Sequence, residues 1–210
     1  MGSEWLVMET TRNRCDERAE ARRQQILDAA AVCFRDHGFH SASMANIART
    51  AGMSVGHIYH YFENKEAVIA AIVASDEDHV RERFEEFRNA SDLFNTLVER
   101  ADGGLERSLD VGRSALVMEV LAEAGRNPRV AGIVEASDRV IGAELREIIE
   151  EAWRSQHPGR TPDPVRLDAQ VELIGAVFDG LRARAIRHPG LNREAVLALL
   201  KPVLRRILEG

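Results

Sequence analysis

Hydrogen-bonding aromatic and basic side chains are concentrated in one short stretch of this 210-residue chain. Two histidines, two tyrosines and a lysine fall within nine positions, at His57, Tyr59, His60, Tyr61 and Lys65. Such side chains donate hydrogen bonds to phosphate oxygens and to acceptor atoms on base edges. The stretch therefore predicts contact with DNA. Two histidines three residues apart make a poor metal site without a third ligand, so no metal site is predicted.

The residues around this cluster predict two short helices joined by a tight turn. Ser43 and Ser54 stand where N-caps belong, because a serine hydroxyl can accept a free amide of the first helical turn. Gly52 lies between the helices and can adopt a positive φ without steric cost. Apolar positions of the second helix form one stripe, at Val55, Ile58, Tyr59 and Phe62. This layout is a helix-turn-helix; a plain helical hairpin is the alternative, and the polar cluster favours DNA binding.

The segment from Arg18 to Ala71, about a quarter of the chain, resembles the N-terminal domain of the TetR (TetR/AcrR-like) family of transcriptional regulators. The matching residues are Ile26-Leu27, Ala29-Ala30, Phe34, Gly38, Ile47-Ala48, Ala51-Gly52-Met53-Ser54, Gly56, Tyr59, Tyr61-Phe62 and Lys65-Glu66. The resemblance implies that the helix over 55–62 enters the major groove, and that Lys65 contacts a phosphate. The DNA-binding residues that we predict are Ser43, Ser54, Val55, Gly56, His57, Tyr59, His60, Tyr61 and Lys65.

Composition and charge narrow the classes of function. The net charge is −6, and residues 1–66 hold eight Lys and Arg against nine Asp and Glu. A DNA-binding face must therefore arise from local placement of charge and from helix N-termini. The longest apolar run, Ala67 to Ala74, is too short for a membrane span, and no signal-peptide pattern is present, so we expect a cytoplasmic protein. We find no phosphate-binding loop, nucleophile elbow or metal-ligand spacing, so neither an enzyme nor a cofactor is predicted.

Helical periodicity runs through the whole chain and predicts an all-α fold of about nine helices. We expect a flexible arm over 1–17, a three-helix DNA-binding domain over 18–66, and a larger ligand-binding and dimerisation domain over 67–210. A helix capped by Asn64 should run to about residue 89, and Gly103-Gly104 should bend the next one. The helix over 111–124 is apolar nearly all round and should be buried. Pairs of N-cap and proline, Asn127-Pro128 and Asp163-Pro164, predict the starts of two long helices.

The last two helices carry apolar seams that are typical of a dimer interface. The predicted interface residues are Leu167, Val171, Ile174, Phe178, Leu181, Val196, Leu200, Val203, Leu204 and Ile207. Two copies of a helix-turn-helix commonly bind a palindrome, and a four-helix interface would hold them together. Packing of both helices inside the monomer is the alternative. The resemblance also implies dimerisation through the last two long helices.

The middle helices are predicted to hold a small-molecule effector, as the resemblance implies. Candidate pocket residues are Phe84, Phe87, Met118, Glu119, Trp153 and Phe178. Glu119 and Glu123 share a face of an apolar helix and would suit a cationic ligand. The alternative is that the aromatic residues belong to the core and that both carboxylates reach solvent or an arginine.

The resulting prediction is a homodimeric repressor. It would bind a palindromic double-stranded DNA operator and be released by a small-molecule effector, without contact with a membrane. The alternative is an architectural or non-ligand-responsive DNA-binding protein that has the same N-terminal domain.

Overall fold

Ten helices make up the described part of the chain in the computed structural model, which covers the backbone of residues 3–209 and the side chains of residues 17–209. In chain order they are α1 Ser3–Ser41, α2 Met44–Thr50, α3 Val55–Tyr61, α4 Lys65–Arg88, α5 Leu93–Glu99, α6 Ala101–Leu109, α7 Val111–Ala124, α8 Pro128–Gln156, α9 Pro164–Arg187 and α10 Arg193–Glu209. The all-α prediction is confirmed, with one helix more than expected. The described residues up to Ile72 pack as one unit, and those from Val73 onward pack as another.

The first unit is built around a small apolar core. Its most buried side chains, each at most 1% exposed, are Ile26, Ala30, Phe34, Ala42, Ile47, Ala48, Ile58, Val68 and Ile69. Gly38 interrupts α1 with a φ of 74°, and Phe39 then turns into the core. Cys33 is buried, with its Sγ 3.3 Å from the Thr50 hydroxyl oxygen. Because Val68 and Ile69 on α4 belong to this core, the unit extends past the expected boundary near residue 66.

Side-chain caps fix the starts of most helices, and the sequence predicted those at Ser43, Ser54, Asn64, Asn127 and Asp163. The hydroxyl oxygens of Ser43 and Ser54 accept the amides of Asn46 and His57 at 3.1 and 3.2 Å. Asn64, Asp92, Asp110, Asn127, Asp163 and Asn192 cap later helices in the same way. Each cap satisfies an amide that has no partner within its helix, which sets the start of that helix.

The N-terminal part of α1 differs from the sequence prediction. The sequence predicted a flexible arm over 1–17 and a helix from about residue 18, whereas α1 begins at Ser3. No proline or glycine occurs between residues 4 and 17, so the sequence there contains neither of the two strong helix breakers. The side chains of residues 1–16 lie outside the described part of the structure.

Two expectations for the middle helices were wrong in detail. The chain breaks between α5 and α6 at Arg100, with φ −91° and ψ 19°, and not at Gly103-Gly104, which lie inside α6. Helix α7 was expected to be buried, yet Val111 and Leu121 are each 40% exposed. Helix α7 packs against α6, α8 and α9, which leaves part of its apolar surface outside the core.

The apolar seam of the last two helices faces the core of its own unit, which corrects the predicted interface. Leu167, Ile174, Leu200 and Leu204 are 2 to 8% exposed. Val171, Phe178, Leu181, Val196 and Ile207 pack partly buried against the same core. Val203, at 47%, is the exposed member of the predicted set. Regular spacing shows that residues share a face, but it does not show what that face packs against.

None of the helices within residues 3–209 combines the length and the apolar content that are needed to cross a bilayer.

Candidate functional site

Helix α3 separates its residues cleanly into a buried and an exposed face. Ile58 is fully buried, and Phe62, the C-cap residue of α3, is 3% exposed. Gly56, His57 and His60 are exposed, and Tyr59 is 54% exposed. Val55 is 41% exposed, so Val55 and Tyr59 belong to the outer face and not to the packed stripe that the sequence suggested. Apart from Val55 and Gly56, the exposed face is thus polar and aromatic.

Ring contacts order the aromatic side chains of this face. The Tyr61 ring lies edge-on to His57, with centroids 5.3 Å apart, and edge-on to His60 at 5.4 Å. Edge-to-face contacts of this kind stabilise ring pairs modestly and restrict their orientations. His57 and His60 therefore both contact the ring of Tyr61. Their ring nitrogens can act as hydrogen-bond donors or acceptors.

Backbone geometry places α3 close to α2. The turn between them contains Gly52 with a φ of 65°, and the Met53 amide donates to the Ala48 carbonyl oxygen at 2.9 Å. A Cβ built on Gly56 would meet no heavy atom within 4 Å. The glycine therefore leaves the start of α3 open for close approach of a ligand backbone.

Lys65 has partners within the first unit that the sequence did not reveal. Its Nζ donates to the Phe39 carbonyl oxygen at 2.6 Å and lies 3.5 Å from that of His40. The ammonium group also lies 4.3 Å from the centre of the Phe39 ring. Lys65 thus ties the start of α4 to the end of α1. An ammonium group has three N–H donors, so one remains beyond these two carbonyl contacts.

Three arginines near the helix-turn-helix differ in their availability. Arg49, at the end of α2, is exposed and was not selected from the sequence; its Nη2 lies 3.3 Å from the Asn46 side-chain oxygen. Arg22 donates to Gln25 at 2.8 Å, and the Arg23 guanidinium lies 4.7 Å from the centre of the Phe62 ring. In the sequence, the position of Arg49 at the end of a predicted helix, beside the turn, could have identified it as a candidate DNA contact.

The second unit contains a cavity of about 290 Å³. Helices α4, α5, α6, α8, α9 and α10 contribute its walls. The apolar lining residues are Val80, Phe84, Phe87, Leu97, Ala101, Ile141, Leu145, Ile149, Ile174, Phe178, Leu204 and Leu208. This volume lies close to the lower end of the range for small-molecule sites, which are mostly apolar with a few polar groups.

The predicted effector residues divide into two groups. Phe84, Phe87 and Phe178 line the cavity, whereas Met118, Glu119 and Trp153 do not. The Trp153 ring instead stacks on His157 at 4.3 Å, near the end of α8.

Glu123 also lies apart from the cavity lining. It is 1% exposed, and its carboxylate oxygen lies 3.4 Å from Arg126. This contact with an arginine is the alternative that the sequence left open, and it corrects the expectation of a cation site on α7.

Guanidinium groups supply most of the charge around the cavity. Asp76 accepts a hydrogen bond from Arg107 at 2.6 Å, and the same carboxylate oxygen pairs with Arg113. Arg182 donates from Nη1 to Asp179 at 2.8 Å. The Arg83 Nη2 donates to the backbone oxygen of Arg100 at 3.1 Å. The Nε atoms of Arg113 and Arg182 are buried without a hydrogen-bond partner among the described residues.

Burial and mutual repulsion act on these arginines. Burial lowers the pKa of the Arg107 guanidinium, and the positive charges of Arg83 and Arg182 lower that pKa further. Burial likewise lowers the pKa of Arg113, again with a contribution from Arg182. Burial is the larger cause in both cases, and the nearby guanidinium groups act in the same direction.

Two adjacent glycines in α6 make room for cavity residues. A Cβ on Gly104 would lie 2.8 Å from Cε1 of Phe178, and a Cβ on Gly103 would collide with the Arg83 guanidinium. These glycines therefore allow close approach of a ring and a cation to the α6 backbone.

Charged residues on apolar stripes are the sequence feature that could have identified this arrangement. Ile174, Phe178 and Arg182 follow at steps of four on α9, so they share one face of the helix. Asp76 precedes Val80 on α4 at the same spacing. Within the part of the chain that is described, no group of three metal-ligating side chains is arranged to hold a metal ion.

Each of the two units matches a model of a known protein family. The model described as "Bacterial regulatory proteins, tetR family" matches residues 26–72, and the model described as "BetI-type transcriptional repressor, C-terminal" matches residues 109–209. Together these matches cover the helix-turn-helix and most of the second unit.

Full-length relatives agree with this assignment. The transcriptional regulator UidR of Escherichia coli K12 is 38% identical over 86% of this chain and 89% of its own. The repressor AcnR of Corynebacterium diphtheriae is 28% identical over 88% and 92%. The solved structure of Salmonella enterica GusR matches with a TM-score of 0.74 and 30% identity, over 90% of this chain and 96% of that one.

Proposed function

This chain belongs to the TetR family of bacterial transcriptional regulators, and from that premise we propose that it is a homodimeric repressor whose operator is a DNA palindrome and whose release is triggered by a small molecule. The observation that carries the proposal is the exposed face of α3. A fully buried Ile58 anchors this helix from behind. The exposed glycine, histidines and tyrosine then point away from the core of their unit.

We assign base and phosphate contacts to this face by chemical type. His57 and His60 can donate to or accept from base edges, and the Tyr59 hydroxyl can reach a phosphate. Lys65 has a donor beyond its two carbonyl contacts and sits where a phosphate would approach the start of α4. Ser43 and Ser54 cap α2 and α3, whose N-terminal amides favour phosphate binding. Val55 and Gly56 complete the face that approaches the groove.

A dimer interface is proposed on the outer faces of α9 and α10. On α9 the exposed positions Val165, Ala169, Leu173, Ala176 and Gly180 recur at helical spacing. On α10, Leu199 is 72% exposed and Val203 is 47% exposed. Singly exposed apolar residues are ordinary, but continuous stripes on two neighbouring helices indicate an unpartnered surface. A second copy of the chain would cover both stripes by a twofold contact.

The effector is proposed to bind in the cavity of the second unit. The cavity has apolar walls and a small number of converging polar groups, which is the composition of small-molecule sites. Binding there would shift the balance between DNA-bound and free forms if the effector prefers one of them.

Selection of bound fragments from a random double-stranded DNA library tests the function. The full-length protein is expected to enrich a palindrome with half-sites about one helical turn, ~34–36 Å, apart. Fluorescence anisotropy at two salt concentrations then measures affinity for the enriched sequence and for a scrambled control.

A repressor should bind the palindrome far more tightly than the scrambled duplex. Equal affinity for the two duplexes, with binding that only fades as salt rises, would indicate an architectural DNA-binding protein instead.

A further inference from the structure

The walls of the cavity are apolar, but its charged groups are unequal in number. Four guanidinium groups line it, from Arg83, Arg100, Arg107 and Arg182, against two carboxylates, from Asp76 and Asp179. Residues beyond the lining do not remove this excess. Glu86 lies 3.5 Å from Arg100, while Arg113 adds a further positive charge on Asp76. The site therefore carries an excess of positive charge beside a large apolar surface.

Two of these arginines are largely withdrawn from solvent. The side chains of Arg107 and Arg182 are 22% and 20% exposed. Charged groups in such surroundings are stabilised by an opposite charge or by several hydrogen bonds. Asp76 must serve both Arg107 and Arg113, so neither guanidinium has a carboxylate of its own.

Arg182 keeps an unused donor in this setting. Its Nη1 bonds to Asp179, while its Nε is buried without a partner among the described residues. A guanidinium group has five N–H donors, so the Nη groups of Arg182 keep donors beyond the bond to Asp179 that an acceptor in the cavity can meet. Arg83 adds a second guanidinium whose described hydrogen bond goes to a backbone oxygen, which carries no formal charge.

We propose that the cavity binds an organic anion, an apolar molecule with one acidic group that is held by Arg182, Arg107 and Arg83. The apolar body of the molecule packs against Phe84, Phe87 and Phe178. The inference rests on the proposed effector function of this cavity and specifies the chemical class of the ligand. It replaces the cationic ligand that the sequence suggested, because the glutamates of α7 do not line the cavity.

Three probes with alkyl chains of similar length and different head groups test the sign of the charge. Octanoate, 1-octanol and octyltrimethylammonium are titrated into the full-length wild-type protein by isothermal calorimetry. Octanoate is expected to bind at least about tenfold more tightly than 1-octanol, since hydrogen bonds to charged groups are worth tenfold to a hundredfold in affinity. Octyltrimethylammonium is expected to bind least.

Two variants locate the acidic group. Arg182→Met is expected to lower the affinity for octanoate about tenfold or more and to leave that for 1-octanol nearly unchanged. Arg139→Met is the matched control, because Arg139 is an exposed arginine of α8 outside the cavity lining. The wild-type comparison decides the sign of the charge by itself, so the test does not depend on the folding of either variant.

Several results would overturn the inference. They are equal affinity for octanoate and 1-octanol, preference for the ammonium probe, and no binding of any probe at millimolar concentration. The proposed repressor function has a separate readout. An enriched palindrome without anion preference would refute only the ligand class, whereas anion preference without an enriched palindrome would refute only the operator function.

Discussion

Replacement of Leu199 by aspartate is expected to separate the proposed dimer into folded monomers. Leu199 is 72% exposed in the single chain, and full burial of a leucine side chain contributes about 1.5–3 kcal/mol. In a twofold interface each variant removes two such contacts, so the loss is about 2–4 kcal/mol. This loss corresponds to a rise of at least about thirtyfold in the dimer dissociation constant. Burial of the new carboxylates would raise it further.

Sedimentation velocity over a range of protein concentrations measures this constant. Val32→Asp serves as the control, because Val32 is an exposed valine on α1 and lies outside the proposed interface. Circular dichroism should show that both variants keep their helix content. An unchanged dissociation constant for Leu199→Asp, or an equal change for Val32→Asp, would refute the assignment of the interface to the outer face of α10.

Three further predictions concern the DNA-binding unit. Ile58→Ala should lower the free energy of unfolding in urea by about 2–5 kcal/mol, because it leaves a cavity in a fully buried site. Tyr59→Ala should weaken operator binding and leave the free energy of unfolding nearly unchanged. Equal losses of stability for the two variants would contradict the division of α3 into two faces. Lys65→Met should lower the melting temperature, because the contacts of Lys65 with the end of α1 are lost. It should also reduce the slope of log affinity against log salt concentration by about one unit, which corresponds to one phosphate contact. An unchanged slope would show that Lys65 has only a structural role. A His57→Asn/His60→Asn double variant should weaken operator binding, because both rings lie on the exposed face of α3. An affinity equal to that of the wild type would contradict their contact with DNA.

The helix-turn-helix could be predicted in detail because its determinants are local. Serine hydroxyls at positions 43 and 54 define two helix starts, and Gly52 provides the one positive φ that the turn requires. Each of these features acts within four residues along the chain. Such features can be recognised without knowledge of the rest of the fold.

The direction of the α9 seam could not be predicted, because it depends on partners that are distant in sequence. Leu167 and Ile174 share a face in any helix with this sequence. Whether that face meets α6, α8 and α10 of the same chain or a second chain depends on how the unit packs. In the structure this face packs against helices of the same chain. The exposed residues of α9, such as Leu173, are less uniform in residue type than the buried ones.

The cavity was predicted only in part for the same reason. Phe84 and Phe178 are large apolar residues that would be buried in most arrangements, so their selection needed little information. Trp153 met the same criterion and stacks on His157 elsewhere. The arginines escaped selection because a charged residue in a helix is ordinarily solvent-exposed, and only the meeting of several helices brings Arg107 and Arg182 to one cavity.

The contact between Gly104 and Phe178 identifies two positions at which the cavity could be reshaped to make a biosensor. Substitution of Gly104 by alanine would place a methyl carbon 2.8 Å from the phenyl ring, so the ring would have to move. A smaller residue at position 178 would make room for the new methyl group and change the shape of the cavity. If the cavity holds the effector as proposed, a library of paired substitutions at these two positions would alter inducer choice, while every residue proposed to contact the operator keeps its wild-type identity. Reporter circuits that respond to new compounds could then be built on an unchanged promoter.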